Sequence, residues 1–450
     1  MNAAVSADVP ATPVPVRPWA DRNFRWLAVG GLVSMLGDQF TLLALPWLVL
    51  RTTGDPLALG TVIAAMALPR ALLMLVGGAI VDRHAPRRVL LLTRQISAVL
   101  LALLALGVAS GVMTLPWIHV FAVALGITTA FSHPAGSAIL PRAVPPALIR
   151  SGNALLMAMR QVTMLAGPLL AAALIAGTAA SHELGGLAWA FALDAASFAL
   201  AALALWPVTM MATSASSTAP SEAAKPSILA SIAEGLRALW NDPLLRALCL
   251  YVTAIGLLVG GPLQVALPVL AERQLHGDAT TLGLLTAGHG AGILAGLLLA
   301  ARAGRRTRAE GQGPLVSLGG SILLIDAVAG LVFIALGQAS HTWQAIALLA
   351  PIGAMAGFVQ VAVMSWIQRR VPPQMLGRAM SVLLFLVMGL TPLSSALAGW
   401  LLRGWSTSLV FGVCGGAMLA VVVIGAVLLP MRRIEEPSEA SARTADQPST

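Results

Sequence analysis

Charge and cysteine are both scarce in this chain. Charged residues make up 10% of the 450 residues and hydrophobic residues 58%, whereas soluble domains carry about 25% charged residues. A chain of this composition lacks the polar surface of a soluble globular domain. The two cysteines, Cys249 and Cys414, lie within hydrophobic runs and are too few for a disulfide framework or a thiolate metal site. We therefore expect no metal and no cofactor.

Several functional signatures are also absent. The sequence has no Gly-rich phosphate loop ending in Lys and Ser or Thr, and it has no soluble segment that could hold a nucleotide-binding domain. No nucleophile–base set or metal-ligand set occurs in the hydrophobic runs, so an enzyme is not predicted. The net charge of +9 comes from basic residues beside those runs rather than from one patch. A nucleic-acid partner is not predicted.

Long apolar runs dominate what is present. Each run is long enough for a helix to span a lipid bilayer, which needs about 20 residues, and none shows the period-two alternation of a membrane β-barrel. The sequence therefore predicts an all-α integral membrane protein with twelve transmembrane helices. The predicted spans are 24–50, 57–81, 89–109, 115–139, 151–177, 184–206, 244–270, 281–301, 314–337, 342–366, 379–402 and 406–430.

The basic residues predict the orientation. If the N-terminus is cytoplasmic, all but five of the 27 Lys and Arg residues fall on the inner side. Arg51, Arg273 and Arg403 then lie outside, and Arg70 and Arg160 lie within spans. This bias follows the positive-inside rule. We expect a multi-pass protein of the cell (inner) membrane with both termini in the cytoplasm.

The second half of the chain repeats the first. The offsets between matching residues are 222 to 227, as shown by Ala44-Leu45-Pro46 with Ala266-Leu267-Pro268, Gly54-Asp55 with Gly277-Asp278, and Gly126 with Gly353. A duplicated half in a membrane protein indicates two bundles that flank a central path. We predict two parallel-repeat six-helix bundles in a monomer.

The remaining segments separate these bundles from the chain ends. We expect a disordered N-terminal tail at 1–23, bundles at 24–206 and 244–430, and a disordered tail at 431–450. Residues 207–243 are predicted to be a cytoplasmic linker, which begins with a Ser/Thr/Ala/Pro-rich stretch at 207–226. Apolar residues at helical spacing within 228–240 predict a short amphipathic helix there.

Five ionisable residues inside the predicted spans are candidates for function. Each costs roughly 2.5–3.5 kcal/mol at a helix centre unless it is paired or hydrated. They are Asp38, Arg70, Arg160, Asp194 and Asp326. Asp38 and Arg70 fall near mid-depth on adjacent helices, so they predict either a static pair or a carboxylate that takes up protons beside an arginine.

The other three residues carry different expectations. Asp194 favours a fixed structural partner over a proton relay, and Arg160 favours a bridge to an acidic residue over attraction of an anionic substrate. Asp326 is open between a structural and a coupling role. The candidates for proton coupling are, in order, Asp38, Asp326 and Asp194, and Arg70 and Arg160 are the candidate charge partners within the membrane.

Uncharged polar residues and a helix bend are candidates for the wall of a central cavity. Pro168 removes one backbone hydrogen bond and should bend the fifth helix after Gly167. Three histidines in spans, His119, His133 and His289, are expected to be structural. The candidates for lining the cavity are Gln39, Gln161, Gln264, Gln360, Gly167 and Pro168.

The loop after the second span resembles a family signature. Its residues are Gly78, Asp82, Arg83, Arg87 and Arg88. They resemble the loop motif of the major facilitator superfamily, and the resemblance implies a cytoplasmic gate. The chain also resembles the macrolide-efflux and enterobactin-exporter branch of drug:proton antiporters. That resemblance is carried by Ser34, Gly37-Asp38, Ala44-Leu45-Pro46, Pro134, Ala138, Leu140-Pro141, Val144-Pro145, Asn153-Ala154, Gly167-Pro168, Asp194, Ser197-Phe198, Gln368-Arg369, Val371-Pro372 and Gly377-Arg378.

These resemblances imply a secondary active transporter. The expected function is proton-coupled efflux of a hydrophobic or amphipathic small molecule, similar to an antibiotic or a siderophore, by alternating access. Its partners are the small-molecule substrate, protons and the lipid bilayer. An importer or a lipid-flipping relative on the same fold is the alternative, and a scaffold or membrane enzyme is disfavoured because mid-depth charges without a catalytic set fit neither.

Overall fold

The computed structural model describes residues 17–178, 184–211, 237, 240–310, 317–371, 383, 385–386 and 389–434. Twelve helices and two short 3₁₀ turns, Pro18–Ala20 and Pro430–Arg433, form this described part, which contains no strand. The helices are α1 Arg22–Thr53, α2 Pro56–Arg83, α3 Pro86–Ala109, α4 Leu115–Ala143, α5 Pro146–Thr178, α6 Gly185–Ala204, α7 Pro243–Gln274, α8 Ala279–Glu310, α9 Leu318–Gly337, α10 Thr342–Arg370, α11 Thr391–Gly404 and α12 Thr407–Val427. The all-α prediction is confirmed.

Eleven of these helices are long and apolar enough to cross a membrane within the residues described. The remaining predicted span, 379–402, is described only in part, as α11. The predicted linker and its amphipathic helix lie outside the described residues except at 207–211, 237 and 240–243.

Aspartate side chains cap the starts of three helices. The carboxylate of Asp21 accepts from the backbone N–H of Phe24 at 2.7 Å, and Asp55 and Asp242 cap α2 and α7 in the same way. Proline occupies the first turn of α2 and α7, where its missing N–H leaves no helical bond unmade. Such caps satisfy backbone donors that would otherwise end each helix unpaired.

Helix α7 is longer than its predicted span of 244–270. It runs to Gln274 through two π-helical turns, Pro262–Ala266 and Leu270–Gln274. Pro262 and Pro268 lack the N–H that an α-helical hydrogen bond needs, so the bonding pattern is interrupted here without ending the helix.

The helix ends define two faces of the molecule. The terminal face carries the start of α1 and the end of α12, and the distal face lies at the opposite ends of the helices. Exposed tryptophans lie near both faces, as expected where amphipathic rings meet a membrane–water interface. They are Trp26, Trp206 and Trp240 near the terminal face, and Trp117, Trp189, Trp343, Trp400 and Trp405 near the distal face.

Helix pairing repeats between the two halves of the chain. In the first half α2 packs on α4 and α3 packs on α6, and in the second half α8 packs on α10 and α9 packs on α12. The second set is the first set advanced by six helices, so the two-bundle prediction is confirmed. The bundles meet through α2 against α11 and α5 against α8.

Small residues bring the paired helices close together. Gly126 of α4 lies against the carbonyl of Met66 in α2, and its repeat-related residue Gly353 of α10 lies against the carbonyl of His289 in α8. A side chain at either glycine would collide with backbone, which cannot swing aside. Close approach through small residues drives helix association in lipid, and here the same contact occurs in both bundles.

Candidate transport site

Charged residues from three helices act on one another inside the N-terminal bundle. Asp38 of α1 interacts electrostatically most strongly with Arg94 of α3, and then with Arg160 of α5. Asp38 lies 16 residues after the start of α1, which is about 24 Å along the helix at 1.5 Å per residue. Arg160 lies about 21 Å from the start of α5 by the same measure. Both therefore lie far from either face.

This cluster borders a space that water reaches. Asp38, His133 and Arg160 are exposed and Arg70 is partly exposed, although protein atoms surround Asp38, Arg70 and His133 densely. His133 interacts with Arg70 and Arg160, so groups on α1, α2, α4 and α5 share one region. Side chains that face lipid point away from one another, whereas the side chains of this cluster come from four helices and share one region. We infer that this space belongs to a central cavity between the bundles.

The predicted Asp38–Arg70 pair is wrong. The two residues form no ion pair within the described part of the chain, and the arginines that act on Asp38 are Arg94 and Arg160. Arg70 instead lies near His133 of α4. Equal depth on neighbouring helices does not bring side chains together, because the rotation of each helix about its axis decides which neighbour a residue meets. The expected bridge from Arg160 to an acidic residue is not formed within the described part of the chain, where Arg160 acts on Asp38 only electrostatically and second to Arg94.

Arg94 is the functional residue that the sequence reasoning missed. It was counted among the basic residues of the inner side, but it lies in α3 with 8% of its surface exposed and donates to the carbonyl of Ala201 at 2.8 Å. Arg87 donates to the carbonyls of Leu205 and Trp206, just past the end of α6. Both arginines therefore bind the C-terminal end of α6, where carbonyls lack helical partners. The available signal was that Arg94 falls five residues inside the predicted span 89–109.

Asp194 is a hydrogen-bonded, buried residue. Its carboxylate accepts from the hydroxyl of Thr41 at 2.5 Å and from the hydroxyl of Ser197 at 3.1 Å, and it is 1% exposed. Gly37 of α1 lies against Ser197 and Asp194, so α1 and α6 approach closely at this network. The geometry favours the fixed structural role for Asp194.

Asp326 has a single protein partner in the C-terminal bundle. The phenol of Tyr251 in α7 donates to Asp326 of α9 at 2.8 Å, and both residues are buried. Asp326 is the one acidic residue at mid-depth in the described part of this bundle. Tyr251 is the only tyrosine of the chain, and sequence reasoning did not connect the two.

The cavity-lining candidates separate into two groups. Gln264 and Gln360 are exposed, and Gln39 and Gln161 are partly exposed. The assignment of Gly167 and Pro168 to the cavity wall is wrong, because both are buried. Gly167 lies against Gln39 of α1, and the carbonyl of Pro168 faces Gly283 of α8. These two residues pack helices together rather than face solvent.

The predicted gate motif is described only in part. Arg88 is exposed and Arg87 binds the end of α6, whereas the side chains of Gly78, Asp82 and Arg83 lie outside what the structure describes. The gate role of the motif therefore stays a prediction.

The three histidines fall into two groups, those with hydrogen bonds and one without. His119 contacts the carbonyl of Leu115 and the hydroxyl of Thr61, and His289 contacts the carbonyl of Leu349. These contacts support the structural role expected of both residues. His133 differs, because it is exposed and forms no hydrogen bond with any described residue.

The two bundles are joined at the distal face. Arg403 at the end of α11 donates to both carboxylate oxygens of Asp55, at 3.0 and 2.5 Å, and Arg273 donates to the carbonyl of Gly54. The hydrogen bonds from Arg403 hold the pKa of Asp55 below its usual value. Below this pair, a Cβ atom placed on Gly399 of α11 would lie 2.5 Å from the carbonyl oxygen of Pro56 in α2.

Contacts between the bundles continue from the distal face to mid-depth. Gly283 of α8 lies against Pro168 and Ala172 of α5, and Gly290 lies against Met164. The structure therefore has its distal side closed over the cavity. Within its described residues there is no group of His, Cys, Asp or Glu that could hold a metal ion.

Comparisons with known proteins agree with this architecture. The family model for transmembrane secretion effectors of the major facilitator superfamily matches residues 14–449. The chain is 27% identical over 436 residues to the multidrug efflux pump Tap of Mycobacterium tuberculosis, covering 93% of this chain and 95% of that protein.

Two solved structures resemble the fold. The nucleoside transporter NupG matches with a TM-score of 0.67 at 12% identity, covering 90% of this chain and 98% of that one. A bacterial homologue of the human lysosomal transporter Spinster, solved inward-facing and unoccupied, matches with a TM-score of 0.66 at 17% identity, covering 93% and 97%. The chain belongs to the transmembrane secretion effector family of the major facilitator superfamily and is a multi-pass membrane transporter rather than an enzyme.

Proposed function

We propose that this transporter exports a hydrophobic or amphipathic small molecule against its gradient, with protons supplying the energy. The observation that carries the proposal is Asp38, a carboxylate at mid-depth that borders the central cavity between Arg94 and Arg160. The similarity to a pump named for multidrug efflux supports the direction and the substrate class. The terminal face is cytoplasmic in this proposal, and the membrane is the cell (inner) membrane.

The way the bundles meet supports alternating access. Their described contacts run from the distal face to mid-depth, through the Asp55–Arg403 pair, the Gly60–Gly399 approach and the packing of Gly283 on α5. A site at the centre of two rocking bundles is reached from one side at a time. In the proposed cycle, this distal-closed state takes up substrate from the cytoplasm, and separation of the distal contacts releases it outside.

Asp38 is the best candidate for the proton-carrying group. Asp194 and Asp326 are buried and hold hydrogen bonds from protein hydroxyls, whereas Asp38 is reached by solvent. Protonation of Asp38 would remove its attraction to Arg94 and Arg160, which lie on two other helices of the same bundle. Proton uptake and release thereby become coupled to the packing of α1, α3 and α5, which is what an antiporter requires.

The test uses cells that express the full chain and a panel of amphipathic dyes with anionic, neutral and cationic character: fluorescein, Nile red and ethidium. Wild type should lower the accumulation of at least one dye, and a protonophore should abolish the effect. Asp38→Asn should accumulate that dye as cells without the protein do. In vesicles, the same variant should still exchange dye down its gradient.

Asp278→Asn provides the matched control, because Asp278 is an exposed carboxylate that caps the distal start of α8. It should pump as wild type does. Uphill export by Asp38→Asn would refute the coupling role of Asp38. Higher dye accumulation with wild type than without it would show import, the alternative direction.

A further inference from the structure

We propose that the central cavity contains an anion subsite, formed by Arg70, His133 and Arg160, that binds the carboxylate of an amphipathic substrate. The inference rests on the proposed transport function and names the head group of its substrate.

Arg70 is a cation without a counter-charge. No described residue forms an ion pair or a hydrogen bond with it, and the titratable group on which it acts is His133, which is itself a base. It lies 14 residues into α2, about 21 Å from the distal start of the helix. An arginine at such depth is costly unless water or a partner meets it, and intramembrane charges of this kind mark substrate pathways.

His133 connects the two arginines. Both Arg70 and Arg160 act on it electrostatically, and its side chain is exposed. Unlike His119 and His289, it has no hydrogen bond to a described residue. Its ring nitrogens are therefore available to a ligand in the same region that the two guanidinium groups border.

The charge balance of the N-terminal bundle leaves this region positive. The charges within its transmembrane helices are three arginines, Arg70, Arg94 and Arg160, against two aspartates, Asp38 and Asp194. Arg94 has the strongest electrostatic effect of any charged residue on Asp38, so the excess positive charge lies with Arg70 and Arg160. One bound anion would neutralise it.

The facing bundle offers no comparable charge among its described residues. Gln264 and Gln360 are its exposed polar residues at mid-depth, and Asp326 is buried with its carboxylate bonded to Tyr251. A cavity with one cationic wall and one uncharged wall fits a molecule with an anionic head and an apolar body. Guanidinium groups bind carboxylates through two parallel hydrogen bonds, which gives the head group a fixed orientation.

Three isosteric naphthalene probes isolate the head group. They are 2-naphthoate, 2-naphthamide and 2-naphthamidine, which carry an anionic, a neutral and a cationic group on the same ring. Binding to the purified full-length protein in detergent is measured by titration calorimetry. The naphthoate should bind at least about tenfold more tightly than the amide, as expected for a charge-assisted pair of hydrogen bonds, and the amidine should bind most weakly.

Substitutions identify the residues that cause the preference for naphthoate over naphthamide. Arg70→Gln should bind naphthoate and naphthamide equally, and Arg70→Lys should keep part of the preference because it keeps the charge without the planar fork. His133→Ala and Arg160→Gln should each reduce it. Arg150→Gln is the matched control, because Arg150 is exposed near the terminal start of α5, and it should bind as wild type does.

The outcomes separate this inference from the transport proposal. Equal binding of the three probes by wild type, the absence of saturable naphthoate binding, or an unchanged preference in Arg70→Gln would each overturn the subsite. A clear naphthoate preference in a protein that fails to pump against a gradient would support the subsite and refute proton coupling. Proton-driven pumping without the naphthoate preference would support proton coupling and refute the subsite.

Discussion

The contact between α2 and α11 gives the sharpest prediction about the transport cycle. Gly399→Leu should favour the state in which the distal face is open, because it places a side chain where α2 and α11 touch. A Cβ atom at Gly399 would lie 2.5 Å from the carbonyl oxygen of Pro56 and 3.1 Å from the Cα atoms of Leu57 and Gly60. All three neighbours are backbone atoms, so no rotamer change relieves the collision.

The structure also gives the size of the effect. Ordinary contacts begin at 3.4 Å, so even Gly399→Ala needs a separation of about 0.9 Å at this point, and leucine needs more. Overpacking a close contact costs typically 1–3 kcal/mol. A cost of about 2 kcal/mol to the distal-closed state shifts its balance with the open state roughly thirtyfold. Because the same change is harmless once the bundles separate, it acts on the equilibrium rather than on the fold of either bundle.

Cysteine accessibility measures this shift. Gln264 lies about 15 Å from the distal end of α7, deeper than the Gly399 contact; its side chain is exposed, and the proposed cycle places it on the cavity wall. Gln264→Cys is introduced into a chain whose two native cysteines are replaced by alanine, and intact cells are treated with an impermeant maleimide. Labelling should accelerate severalfold with Gly399→Ala and by about thirtyfold with Gly399→Leu if opening limits the reaction.

Gly416→Leu is the control for adding a leucine to a transmembrane helix. A Cβ atom at Gly416 meets nothing within 4 Å, and the residue is exposed on α12. This variant should label as slowly as the parent. Slow labelling in Gly399→Leu, with the protein correctly inserted, would mean that the α2–α11 contact does not close the distal path.

Three further predictions address stability, pH and topology. Thr41→Val should lower the free energy of unfolding by about 1–3 kcal/mol, because it removes a donor to the buried carboxylate of Asp194. Thr41→Ser keeps the hydroxyl and should retain most of the stability in thermal unfolding of the purified protein. Equal losses in both variants would refute the hydrogen-bond explanation. Since pairing with Arg403 lowers the pKa of Asp55, the pair favours the distal-closed state above the ordinary carboxyl pKa of about 4 and is lost as pH falls through the lowered value. Spin labels at the distal ends of α2 and α11 should therefore move apart in acid in wild type, and Asp55→Asn should remove that pH dependence. A cysteine at Ser449 should resist an impermeant thiol reagent in intact cells, and labelling there would reverse the proposed orientation.

Span positions were accessible to sequence reasoning because hydropathy is a local property. The spans 115–139 and 151–177 correspond to α4, Leu115–Ala143, and α5, Pro146–Thr178. The repeat was also visible, since duplicated residues such as Gly126 and Gly353 keep their spacing whatever the packing. Both predictions depend only on the residues within each segment and not on how the segments pack. The thickness of the bilayer sets a similar length for every helix.

Side-chain partners were not accessible in the same way. The transmembrane helices are apolar on nearly all sides, so no stripe of hydrophobic residues indicates which side faces a neighbour. Asp38 was therefore paired with Arg70 by depth, whereas the rotations of α1 and α3 place it near Arg94. Arg94 itself was treated as a loop charge because it lies close to the start of its span, and only the packing of α3 on α6 shows that its guanidinium is buried.

The hydrogen bond between Tyr251 and Asp326 gives the molecule a built-in spectroscopic label. Because the chain contains one tyrosine, growth on ring-labelled tyrosine introduces a single isotopic group per molecule, and its phenol donates directly to the carboxylate at 2.8 Å. The C–O stretching band of that phenol responds to the charge of its acceptor. Infrared difference spectra of the unmodified protein would then record the ionisation of Asp326 during turnover, in the bundle opposite Asp38 and without any substitution in either.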